Sequence, residues 1–164
     1  MKAVWRHYEA HLIGFDLAFS VIVAGIAIFF FEVFWGRADF VDFLKGSREG
    51  LYISVISLAG ALLGFTITTV SIILAFSESS GLRLIRDSGH YHTILAIFFN
   101  AIRALGFTTI WALVALLADT DMEPKFWATY VALWSVILSG QRLYRCAWIL
   151  ERVIGFALTK QESS

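Results

Sequence analysis

Four long, predominantly apolar stretches, residues 12–35, 51–76, 93–118 and 125–150, constrain this chain more than any other feature. Each exceeds the roughly 20 residues with which a helix crosses a hydrocarbon core about 30 Å thick. A transmembrane barrel would instead need short segments of strict in–out alternation. Runs such as IAIFFF and LVALLA do not alternate. Lipid offers no hydrogen bonds to an open backbone, so each stretch is expected to cross as a helix.

Composition agrees. Hydrophobic residues make up 59% of the 164 and charged residues 16%, with a mean hydropathy of +0.74. Soluble domains carry roughly 45–50% and about 25%. A chain this short has too little interior to hide so much apolar surface from water. One cysteine and no excess of positive charge exclude a disulfide scaffold and a polybasic nucleic-acid binder. The first stretch follows Lys2 and Arg6 as a signal peptide would, but it is too long and ends without a small-x-small site. It reads as a retained span. The expected fold is all-α: a four-transmembrane-helix bundle, one membrane domain over residues 1–164, assembling as a symmetric homo-oligomer. An amphipathic extension of the fourth helix is expected to about residue 158.

Four crossings put both termini on one side. That side holds nine basic and six acidic residues, a net of +3; the other holds four and seven, a net of −3. Basic loops stay cytoplasmic, which predicts cytoplasmic N and C termini in the plasma (inner) membrane. Trp35 and Trp127 fall at the expected outer interface, and Trp5, Tyr8 and Tyr91 near the inner one, where amphipathic rings prefer to lie.

Polar residues inside the spans are the functional candidates. Ser57, Gly60, Gly64, Thr68 and Ser71 recur at spacings of 3, 4, 4 and 3, so they share one face of the second helix. Such a stripe lets helices approach closely. Alternatively its hydroxyls and glycine carbonyls line a water path and replace the hydration of a permeant ion. Laying neighbouring helices as antiparallel hairpins puts Asp16, Thr66, Thr68, Asn100, Arg103, Gln141, Arg142 and the adjoining Arg145 in one layer of the inner half, to within about 5 Å. A mid-span arginine costs at least about 2.5–3.5 kcal/mol, so it needs a partner or water. Asp16 is the expected partner of Arg103; the alternative is that both snorkel to the inner headgroups. Arg142, Arg145 and Arg152 suit anionic lipid at the inner face or a basic pore mouth. Glu32, Asp119, Asp121 and Glu123 would form an acidic outer mouth in an oligomer, and a solvated turn in a lone chain.

His7, His11, His90 and His92 cluster near the inner side, but no spacing is diagnostic of metal or haem, and Cys146 stands alone. No cofactor is expected. Phosphate-binding loops, catalytic triads, potassium-filter sequences and inverted repeats are not visible, so an enzyme is not expected. Two readings follow. One is a small oligomeric channel or pore-forming protein passing ions, with the second helix facing the axis. The other is an accessory or structural subunit of a larger membrane complex, whose polar layer pairs with a foreign chain. A haem or metal protein is a third, more remote possibility. Membrane lipid and further copies of the chain are the expected partners.

Overall fold

The computed structural model describes residues 2–34, 47–75, 91–118 and 126–161. All but Ser47, in a turn ahead of the second helix, lie in four helices: α1 (Lys2–Phe34), α2 (Arg48–Ala75), α3 (Tyr91–Ala118) and α4 (Phe126–Gln161). There is no strand among the described residues. Three helices carry stretches long and apolar enough to cross a membrane: Gly14–Phe34, Arg48–Ala75 and Tyr91–Ala118. This is a membrane protein by that measure. The fourth helix is the longest, at 36 residues. Its apolar run is interrupted by Gln141, Arg142 and Arg145, groups that α1 and α3 cover in the fold.

Helix ends differ from the sequence expectation in two places. The first helix starts at Lys2 rather than near residue 12. Residues 2–11 contain no glycine or proline and are rich in Ala, Lys, Arg and Glu, so nothing stops the helix there. The fourth helix runs unbroken to Gln161, past the expected limit of 158. At 1.5 Å per residue these two helices are about 50 and 54 Å long, well beyond one hydrocarbon core.

Neighbours are antiparallel. Contacts between α3 and α4 pair Trp111 with Ala128, Thr108 with Ser135, and Asn100 with Arg142. As one number falls the other rises. The same holds for α1 on α4, where Asp16 meets Arg145 and Glu32 meets Tyr130. The packing order is not the chain order. The second helix packs on α3, α3 on α4, and α4 on α1. Two buried clusters join α2, α3 and α4: Tyr52, Ala115, Ala128 and Ala132 near one end, and Val70, Phe98, Ala101 and Cys146 near the other. The first helix is attached outside this trio, chiefly to α4.

The α3–α4 seam is built from small residues. Ala101, Ala104, Thr108, Ala112 and Ala115 are buried on α3; Ala128, Ala132, Ser135 and Ser139 are buried on α4. Spacings of three and four put each set on one face. Lipid supplies no hydrophobic drive for helices to associate, so close approach and hydrogen bonds hold the pair. Thr108 Oγ1 donates to the Ser135 carbonyl at 3.0 Å and lies 2.8 Å from Ser139 Oγ. Around this interior, large side chains such as Phe29, Phe65, Ile110 and Leu117 are exposed, as lipid-facing residues are.

Candidate polar layer and outer face of the second helix

Asp16 is buried two residues into the apolar stretch of α1. A carboxylate at that depth needs hydrogen-bond donors. Both come from α4: Arg145 Nη2 lies 2.7 Å from Asp16 Oδ1, and Gln141 Nε2 donates to the same oxygen at 3.0 Å. These donors are four residues apart, one turn of helix, which lets both side chains converge on one point. One turn along α1, Ser20 is fully buried. It donates to the Leu17 carbonyl at 2.9 Å and accepts from Trp134 Nε1 at 3.0 Å. Ala24 is buried a turn further on, and Glu32 accepts from Tyr130 at 3.1 Å near the helix end. The face of α1 turned to α4 is therefore a ladder of polar and small residues.

On the opposite side of α4, Arg142 Nη1 donates to the Asn100 carbonyl at 2.9 Å. Arg142 Nε and Gln141 Oε1 are buried and make no hydrogen bond among the described residues. The structure thus gathers Asp16, Gln141, Arg145, Arg142 and Asn100 into one layer. Thr66, buried on α2, bonds back to Leu62 O at 2.7 Å, and the neighbouring Val70 packs against Phe98 and Ala101 at the same level.

Arg103 is placed differently from expectation. It lies on the exposed side of α3 and makes no ion pair among the described residues, and Asp16 is bound to Arg145 instead. The hairpin alignment took chain neighbours as spatial neighbours. Here α1 packs chiefly on α4, and Asp16 takes its donors from α4.

The small-residue stripe of α2 turns away from the rest of the protomer. Ser57, Gly64, Thr68 and Ser71 are exposed and Gly60 is half-buried. A Cβ added at Gly60 or Gly64 would meet nothing within 4 Å. Packing against α3 uses other positions of α2: Tyr52, Ala59, Thr66 and Val70. Thr68 and Ser71 donate to the carbonyls four residues earlier, Gly64 O and Ile67 O, both at 2.9 Å. Their protons are committed, while oxygen lone pairs remain available.

Glu32 is exposed at the far end of α1; Asp119, Asp121 and Glu123 lie outside the described residues, as does His90. Positions 7 and 11 fall one turn apart on the helical backbone of α1. His, Cys, Asp and Glu residues form no group of three suited to a metal among the described residues.

The residues that sequence reasoning passed over are Ser20, Thr108, Ser135 and Ser139. For the last three the signal was present: Ala104-Thr108-Ala112-Ala115 and Ala128-Ala132-Ser135-Ser139 are small-residue stripes of the same kind as the one on α2. No protein-family model, curated protein or solved structure matches the chain.

Proposed function

We propose that the chain is the protomer of a small oligomeric membrane channel passing ions, with α2 facing the axis. One observation carries this reading: the hydroxyl- and glycine-bearing face of α2 is the face its own protomer leaves uncovered. Against acyl chains the hydroxyl oxygens of this face would find no donor for their remaining lone pairs. Around a symmetry axis the same oxygens meet water and ions. The buried, unpartnered Gln141 Oε1 and Arg142 Nε add a demand for water in the polar layer. Small side chains fill the space between α3 and α4, so a conducting path requires several copies.

In this reading α4 is the fourth crossing, sheltered by α1 and α3, and both termini lie in the cytoplasm of the inner membrane. Glu32 and the acidic loop of Asp119, Asp121 and Glu123 form the outer mouth. Anionic lipid surrounds the basic inner side.

The test is conduction by purified protein in planar bilayers, with single cysteines placed at Ser57, Gly64 and Ser71 in a Cys146→Ser background. A water-soluble thiol reagent should block current through all three. Current unaffected at every position, or no current from a symmetric particle, overturns the reading. A second reading is an accessory subunit of a larger membrane complex. It draws on Arg103, which offers an exposed guanidinium to another chain. One stoichiometric foreign partner in mild-detergent purification would favour it; a self-contained oligomer would favour the channel.

A further inference from the structure

A groove of about 380 Å³ runs between α1 and α4, lined by Phe15, Phe19, Gln141, Tyr144, Arg145 and Trp148. Its volume lies within the roughly 300–1,000 Å³ typical of small-molecule sites. Its walls are aromatic and open: Phe15 is 61% exposed, Tyr144 72% and Trp148 48%. Arg145, which lines the groove, keeps 28% of its side chain exposed although it is paired with Asp16. The depth is informative. Phe15 stands at the start of the apolar stretch of α1, and Tyr and Trp are the residues that favour the boundary between headgroups and acyl chains.

The charge balance of the layer is also informative. Among the described residues Asp16 is the carboxylate hydrogen-bonded in this cluster, while Arg142 and Arg145 both belong to it and Arg103 is close enough to act on Arg142. Two guanidiniums against one carboxylate leave a net positive charge. Inside a bilayer the anion at hand at this depth is a lipid phosphate. Guanidinium N–H donors suit phosphate oxygens, and Arg145 has donors beyond the one used on Asp16.

We infer that the α1–α4 groove is a binding site for one anionic phospholipid. The phosphate sits on Arg145, and an acyl chain lies between the Phe15–Phe19 wall and the Tyr144–Trp148 wall. The site rests on α1 and α4 lying in the membrane, and does not require conduction.

Trp148 reports on it directly. The full-length protein is reconstituted in phosphatidylcholine vesicles containing a small fraction of phosphatidylglycerol, with bromine on the acyl chains of one lipid or the other. The signal of Trp148 is the difference between wild type and Trp148→Phe. Brominated phosphatidylglycerol should quench that signal at about five-fold lower mole fraction than brominated phosphatidylcholine, the ratio corresponding to about 1 kcal/mol for one basic residue. Arg145→Gln should abolish the preference. Phe19→Ala, which leaves the ion pair intact, should weaken it, so the outcome does not hang on one variant's folding. Equal quenching by both lipids in the wild type overturns the site while leaving the membrane placement standing. A preference retained in folded Arg145→Gln and in Phe19→Ala also overturns it. Quenching by neither lipid overturns the placement of α4 in the bilayer as well.

Discussion

Asp16 and Arg145, 129 positions apart in the chain, meet at 2.7 Å across the α1–α4 contact, and Gln141 joins them on the same carboxylate oxygen. This cluster anchors α1 to α4. Two further polar contacts, Ser20 with Trp134 and Glu32 with Tyr130, complete the ladder.

Asp16→Asn removes the negative charge and retains the shape. A hydrogen-bonded charged group contributes about 1.5–3 kcal/mol, so the substitution should destabilise by about 2 kcal/mol. Arg145→Gln should cost a similar amount. The double variant should lose less than the sum, by at least about 0.5 kcal/mol. Thermal unfolding of the four proteins in one detergent measures the cycle; strict additivity would show that the two side chains are not coupled.

Thr108→Val keeps the volume of a buried side chain and deletes its hydroxyl, which serves both Ser135 O and Ser139 Oγ. Interhelical hydrogen bonds in membranes average about 0.6 kcal/mol and reach about 1.7. The expected loss is about 1 kcal/mol, and Ser139→Ala on top of it should add little. Reversible unfolding in mixed micelles reads both.

Ala112→Leu inserts a branched side chain where α3 and α4 approach closely, at a position 1% exposed. Overpacking costs about 1–3 kcal/mol. Leu117→Ala, on an exposed site of the same helix, should change stability by less than about 0.5 kcal/mol. Equal effects of the two would mean that the small-residue seam does not set the distance between these helices.

Gly64 separates protomer from assembly. Gly64→Ala meets no neighbour and removes the flexibility of a mid-helix glycine, so the isolated protomer should gain about 0.5–1 kcal/mol. Gly64→Leu should leave the protomer folded, by circular dichroism, yet lower single-channel conductance or particle symmetry. Unchanged assembly and current in Gly64→Leu would remove α2 from the axis.

Much of this architecture is written in the sequence because lipid enforces long apolar runs with few exceptions. The number of helices and most of their ends follow from that alone. The α3–α4 register is visible to within a turn: measuring inward from Ala118 and Phe126 sets Arg103 beside Gln141, and the structure pairs Asn100 with Arg142. The helix order is not visible. Apolar runs say which residues meet lipid or protein, not which helix stands beside which, and so Arg103 was matched to a carboxylate that belongs to Arg145. The small-residue stripes were half legible. The α2 stripe carries glycine and stands out; the Ala-rich stripes of α3 and α4 pass as ordinary apolar sequence, although they hold the buried hydrogen bonds of Thr108 with Ser135 and Ser139. Which stripe turns inward is decided by the shape of the whole bundle.

Because α1 leans chiefly on α4, an earlier helix depends on one made later in the chain. During synthesis Asp16 enters the membrane with Arg145 still more than a hundred residues from the ribosome exit. Until then its carboxylate must be protonated, hydrated or sheltered by the insertion machinery. The first helix is thus committed to its final berth only after residues 141–145 have been made, and a ribosome stalled before residue 141 would leave it adrift.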